Sequence, residues 1–362
     1  MKKYLTTQDA ASRNDFMTYG MVLAAFIIVQ ILSATGLLNS QMKGLLVPLC
    51  IYSIMAISLN LVVGILGELS IGHAGFMCVG AFAAAFFSKC TDGAMPDILR
   101  FIIAIIIGGI VAGIFGFLIG IPVLRLNGDY LAIVTLAFGE IIKNVINVLY
   151  IGRDANGFHI SASSANNLGL DAATGEIIVN GPQGITGTPK DSTFLIAMIV
   201  LIICLVVVLN LIHSRDGRAI MAIRDNHIAA ESVGIHLTKY KLTAFTISAV
   251  IAGFAGALYA HNLASLIATP ARFGYNMSIM FLVFVVLGGI GSTRGAIIAA
   301  VILTLIPEVL RFLANYRMLI YSIVLIVIML INWSQRSRAW MEQHKLGRFI
   351  YKKKSKAKEG GA

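Results

Sequence analysis

Glu140, Asn144 and Asn147 stand at i, i+4 and i+7, the spacing that puts three polar side chains on one face of a helix. Lys143 follows Glu140 by three residues and can pair with it on that helix. The surrounding stretch, 129–149, is otherwise apolar. A charge near the centre of a bilayer costs at least about 2.5 kcal/mol on insertion scales, so such residues face a bundle interior or a hydrated path. Two roles fit: a wall of a translocation pathway, or a hydrogen-bond network that holds helices together. A second candidate is the run Gly64 to Gly75, where Gly64, Gly67, Gly72 and Gly75 surround Ser70 and His73. Glycines that interrupt an apolar segment free backbone groups to meet polar cargo. The plainer alternative is a tight turn followed by a closely packed helix, with His73 a hydrogen-bonded packing residue. The block Gly288 to Gly295 invites the same two readings and weakly resembles the first, with Gly-x-x-Gly followed by Ser.

Several common chemistries are missing. Gly-Lys occurs nowhere, so no G-x-x-x-x-G-K-[ST] loop cradles a phosphate. Neither H-E-x-x-H nor G-x-S-x-G is present. Cys50, Cys78, Cys90 and Cys204 are scattered without a C-x-x-C, which argues against a metal site and a disulfide framework.

Membrane helices, favoured over membrane strands because the segments are apolar nearly all round, are expected to position the polar residues singled out above. Of the 362 residues, 58% are apolar and 12% charged, against about 45–50% and about 25% in soluble domains. That composition excludes a soluble enzyme, a disordered chain and a disulfide scaffold. At about 20 apolar residues per crossing, the chain reads as an all-α, polytopic integral membrane protein. About ten spans are expected: 18–38, 43–65, 68–88, 98–122, 129–149, 193–212, 241–264, 276–291, 296–313 and 318–333. Residues 1–17 form a polar leading segment, 18–333 the membrane domain and 334–362 a basic tail; the first helix is read as retained, not cleaved as a signal. Most of the 28 Lys and Arg fall on one side if both termini are cytoplasmic. The net charge of +11 therefore implies orientation and contact with anionic lipid, not nucleic acid. Gly109/Gly113 and Gly116/Gly120 have the small-xxx-small spacing of close helix packing, most simply within the chain.

Two connections are long. Residues 150–192 form an outer loop rich in Gly, Asn and Ser. Residues 213–241 form an inner loop in which Ala219, Ile223, Ala230, Val233 and Leu237 share one helical face. Arg218, Arg224 and Asp225 lie off that face, and Gly234 suits the left-handed position that ends a helix. A short amphipathic helix of this kind must rest on the membrane, on other loops or in a groove of a soluble partner.

Within this loop, Arg224-Asp-Asn-His-Ile-Ala-Ala-Glu-Ser-Val-Gly234 and Thr238-Lys-Tyr-Lys-Leu-Thr-Ala-Phe245 resemble the cytoplasmic signature of the branched-chain amino-acid ABC importer permeases. Further blocks agree in order and spacing: Gly67-Glu-Leu-Ser-Ile-Gly-His-Ala-Gly-Phe76, Asn127-Gly-Asp-Tyr-Leu-Ala-Ile-Val-Thr-Leu136, Gly181-Pro-Gln-Gly-Ile-Thr-Gly187, Ala252-Gly-Phe-Ala-Gly-Ala-Leu-Tyr259 and Leu287-Gly-Gly-Ile-Gly-Ser-Thr-Arg-Gly295. Their order and the long outer loop are similar to the M-type subunit of the permease pair. The resemblance implies a bacterial inner-membrane permease with no cofactor of its own, working with a second permease subunit, two ATPase subunits that hydrolyse ATP and a periplasmic binding protein. It implies leucine, isoleucine and valine as cargo, and an ATPase-coupling role for Arg224, Asp225, Ala229, Ala230, Glu231 and Gly234. One departure is that Ile228 stands where the general importer pattern has Glu. Ser70, His73, Glu140, Asn144 and Asn147 are the pathway candidates. The alternatives are a related importer for urea or a short amide, and an ion-driven carrier using Glu140 or His73.

Overall fold

The fold is that of a computed structural model, which describes residues 2–35, 39–126, 128–154, 157–170 and 175–310, with 319, 320, 322, 323 and 326 besides; of 2–15, 33, 34 and 40 it describes the backbone alone. The helices are α1 (Lys2–Ala34), α2 (Ser40–Asn60), α3 (His73–Cys90), α4 (Asp97–Val123), α5 (Asp129–Val148), α6 (Phe194–His213), α7 (Arg215–Asp225), α8 (His227–Ser232), α9 (Leu237–Ala260), α10 (Pro270–Phe273), α11 (Tyr275–Gly288) and α12 (Thr293–Val309). A π-helical turn, Leu61–Leu66, prolongs α2. Among the described residues, seven helical segments are long and apolar enough to cross a bilayer: α2 with its π turn, α3, α4, α5, α6, α9 and α10–α11. The apolar part of α1, Phe16–Leu32, is shorter, and α12 has 17 residues. The expected span 318–333 lies largely outside the described residues, and the tail 334–362 wholly so.

Helix α9 sits at the centre of the bundle, with α3 and α4 along one flank and α2 on another. Glycine makes these contacts possible. A Cβ on Gly80 would lie 2.5 Å from the Gly253 Cα, and one on Gly256 would strike the Met77 carbonyl. On α4, Gly109, Gly113 and Gly116 face Phe254, Val250 and Ala249 of α9. The small-xxx-small rows of α4 therefore pack within the chain, where close backbone approach replaces side-chain volume.

Three expectations need correction. The chain is not purely α. Residues 150–192 contain an antiparallel sheet in the order β2-β1-β3, built from β1 (Tyr150–Asp154), β2 (Gly157–Ser161) and β3 (Glu176–Asn180). A second, short pair joins β4 (Ile185–Thr186) to β5 (Ser265–Leu266). The turn residues in this region dominated its sequence pattern and hid strands of five residues or fewer. The expected span 68–88 instead begins at His73, because Gly67 is left-handed (φ 85°) and ends the π turn. The single helix expected in 213–241 is two, α7 and α8, divided at Asn226, whose side chain accepts hydrogen bonds from the Ile228 and Ala229 N–H groups. Capping by a short polar side chain here outweighs continuation of the helix. Gly234 is left-handed (φ 86°) after α8, as its type and position imply.

Candidate functional site

Three layers of polar contacts link the α7–α8 end of the bundle to its middle. The first joins the two glycine blocks. Asn60, the last residue of α2, accepts a hydrogen bond from the Gly291 N–H at 3.0 Å. A Cβ on Gly64 would clash with the Asn60 amide oxygen and the Gly291 nitrogen, so only glycine permits this approach. Arg224, at the end of α7, donates from Nη1 to the Gly64 carbonyl at 2.9 Å and from Nε and Nη2 to Asp225 Oδ1 at 3.2 and 3.0 Å. Beside it, Lys241 of α9 forms an ion pair with Glu68 in the segment between the π turn and α3.

The second layer is a buried cluster at the start of α3. Ser58 Oγ donates to the Ser248 carbonyl at 2.6 Å, and Ser248 Oγ donates to the Ser58 carbonyl at 2.7 Å. The His73 Nε2 lies 2.9 Å from Ser58 Oγ and 2.8 Å from Ser248 Oγ, so the ring joins the two serines in one buried cluster, as donor or acceptor according to its tautomer. Nδ1 is buried without a hydrogen-bond partner among the described residues, as is Ser70 Oγ. Around them the Ile71 N–H donates to Thr135 Oγ1 of α5 at 3.1 Å, and the Ala74 N–H donates to Ser278 Oγ of α11 at 3.1 Å. Thr135 lies six residues into α5, about 9 Å along it at 1.5 Å per residue. The break between α2 and α3 thus reaches well into the bundle.

The third layer is the polar face of α5. Glu140 pairs with Lys143 and also accepts the Tyr275 N–H at 2.9 Å, so its carboxylate caps the positive end of α11. Asn147 donates from Nδ2 to the Ala268 carbonyl at 2.9 Å. Asn144 lies between them in sequence and is exposed. Of the pathway candidates, the structure brings Ser70 and His73 together at the helix break. It uses Glu140 and Asn147 to hold the segment that enters α11, and it leaves Asn144 facing outward.

The loop candidates divide by direction. Ala230 is 4% exposed, buried like Ile220 and Ile223, whereas Arg224, Asp225, Ala229, Glu231 and Gly234 are exposed. The apolar stripe read from spacing does not hold as one face. Val233 is 76% exposed and Ile228 69%, both beyond the extended residue Asn226 that interrupts the helix. The residues that sequence reasoning missed are Ser58, Asn60, Thr135, Ser248 and Ser278, whereas Gly291 lies in the second glycine block already singled out. Each polar member sits in an apolar run, and that oddity was the available signal.

Residues 41–331 match the family described as branched-chain amino acid transport system, permease component. The chain is 37% identical over 288 residues to the high-affinity branched-chain amino acid transport system permease protein LivM of Salmonella typhimurium, covering 77% of this chain and 66% of that one. It is 36% identical over 289 residues to the LivM protein of Escherichia coli, with the same coverage of each chain. A probable branched-chain amino acid transport permease protein LivM of Methanocaldococcus jannaschii is 24% identical over 301 residues, covering 74% of this chain and 81% of that one. The chain thus spans about two-thirds of the length of the two enterobacterial proteins. No solved structure matches it.

Proposed function

The chain belongs to the family of branched-chain amino acid transport permease components, and on that premise we propose that it is a membrane subunit of an ABC importer for leucine, isoleucine and valine. The observation that carries the reading is the 37% identity to LivM over 77% of the chain. A second permease subunit completes the pathway, two ATPase subunits hydrolyse ATP, and a periplasmic binding protein delivers cargo. The chain lies in the bacterial inner membrane with its α7–α8 end cytoplasmic. Arg215, Arg218, Arg224, Lys239 and Lys241 between 213 and 241 support that orientation.

The residues divide the work by position. Ile228 of α8 and Val233, just after it, present apolar side chains outward and fit a groove on an ATPase subunit. The face of α5 that carries Asn144 lines the path, since an exposed amide at that depth is costly against lipid. The chain contributes a path and a lever, and ATP hydrolysis elsewhere supplies the work of alternating access.

Reconstitution of the full complex in proteoliposomes tests the reading. Leucine uptake should require ATP and the binding protein, and isoleucine and valine should compete while urea does not. Uptake by this chain alone, driven by an ion gradient, would overturn it. For the path, Asn144→Cys should react with a small polar maleimide in at least one trapped state, and inertness in every state would assign α5 to packing.

A further inference from the structure

We infer that Arg224 is the joint between the cytoplasmic loop and the broken membrane helix, a positioning residue whose guanidinium, about one-third exposed, passes motion of α7–α8 into the bundle through the Gly64 carbonyl. The inference rests on the importer reading above. Its basis is the direction of the guanidinium. Nη1 reaches back to the Gly64 carbonyl at 2.9 Å, across 160 residues of sequence. That carbonyl lies in the π turn, just before the chain leaves helical geometry at Gly67. Asp225 holds the other edge of the fork through Nε and Nη2, at 3.2 and 3.0 Å. A planar fork gripped on both edges transmits displacement and rotation together, which a lysine point charge cannot do.

The surroundings are built to keep that grip. Gly67 has φ 85°, and a Cβ there would sit 2.5 Å from Arg224 Cγ, so the aliphatic stem of the arginine lies directly against the backbone at the helix break. Gly291 is joined to the same place through Asn60, so the turn between α11 and α12 travels with it. From Gly67 the chain runs into the α3 start, whose Ile71 and Ala74 N–H groups bond to α5 and α11. A shift of α7 therefore has a continuous polar route to the two helices that meet at Glu140 and Tyr275. Both glycine blocks serve one mechanical element.

The test uses the assembled importer in proteoliposomes, with leucine uptake and ATP hydrolysis measured on the same sample. In Arg224→Ala, uptake per ATP hydrolysed should fall about tenfold, the factor that one charge-assisted hydrogen bond represents, with both ATPase subunits still co-purifying. Arg224→Lys should recover little of it. Gly67→Ala lies in the helix break, against the arginine stem, and should lower the same ratio. The double variant should be no worse than either single, because both break one connection. A ratio within about twofold of wild type in Arg224→Ala would overturn the joint. Loss of ATPase co-purification in Arg224→Ala alone, or multiplied effects in the double variant, would also overturn it. Should Gly67→Ala fail to assemble, Asp225→Asn replaces it, with a lowered ratio as support and a wild-type ratio as refutation. If the wild-type complex shows no ATP-dependent leucine uptake, the importer reading itself has failed.

Discussion

Glu140 answers two needs with one carboxylate. It compensates Lys143, whose side chain is 7% exposed, and it caps the first turn of α11. Glu140→Gln would keep the shape and the capping oxygen while leaving Lys143 uncompensated. Removing one partner of a fully buried pair costs about 3–5 kcal/mol, and Glu140 is itself 26% exposed, so a loss of roughly 1–3 kcal/mol is expected. The readout is a lower thermal midpoint of the purified protein in detergent. Lys143→Met added to Glu140→Gln should restore most of it, and an unchanged midpoint in Glu140→Gln would show that the pair contributes nothing. The residue types and their spacing were legible here. Their partners were not, since Tyr275 lies 135 residues from Glu140 and backbone N–H groups carry no sequence signature.

At the scale of the element, glycine positions decide how closely helices pack. Gly256→Ala would place a Cβ against the Met77 carbonyl and 2.8 Å from the Ala81 nitrogen, both backbone atoms that cannot step aside. Gly113→Ala would meet the Val250 Cγ2 at 2.6 Å, a side-chain atom that can move. Overpacking costs about 1–3 kcal/mol, so Gly256→Ala should lie at or above that range and Gly113→Ala at its foot. Expression with melting of both variants in detergent checks the order, and equal effects would refute it. The cytoplasmic loop calls for a different probe from the one its helical spacing suggests. Ala230→Trp would disturb the seating of α8 on its own chain, since Ala230 is buried. Ile228→Asp is the cleaner change, and it should reduce ATPase co-purification by about tenfold or more, the worth of one large buried apolar side chain. Co-purification at the wild-type level would remove Ile228 from the docking face. The amphipathic pattern in 213–241 was readable, but the break at Asn226 was not. A capping side chain and a continuing helix differ by only about 1 kcal/mol locally, and contacts elsewhere tip the balance.

At the scale of the molecule, orientation remains the coarsest mechanical variable, and it has a direct test. Ser163→Cys, in the sheet-bearing loop, should react with an impermeant maleimide in intact spheroplasts, and Glu231→Cys only after permeabilisation. The reverse pattern would invert the proposed topology. Cys50, Cys78 and Cys204 are buried, whereas Cys90 is half-buried beside the sheet-bearing loop, so both variants carry Cys90→Ser. The mostly helical, membrane-spanning character could be read from the chain as written. Apolar runs of bilayer length, the two long connections and the polar face of 129–149 depend on transfer free energy and local periodicity, which are properties of short windows. Which way each side chain turns could not be read that way. Arg224 stays partly exposed yet reaches back to the Gly64 carbonyl, Ala230 turns inward, Val233 outward, and Gly64 meets Gly291 across more than 200 residues. Those outcomes follow from close packing of distant segments, where a single Cβ decides whether two backbones can touch, and no local window contains both partners.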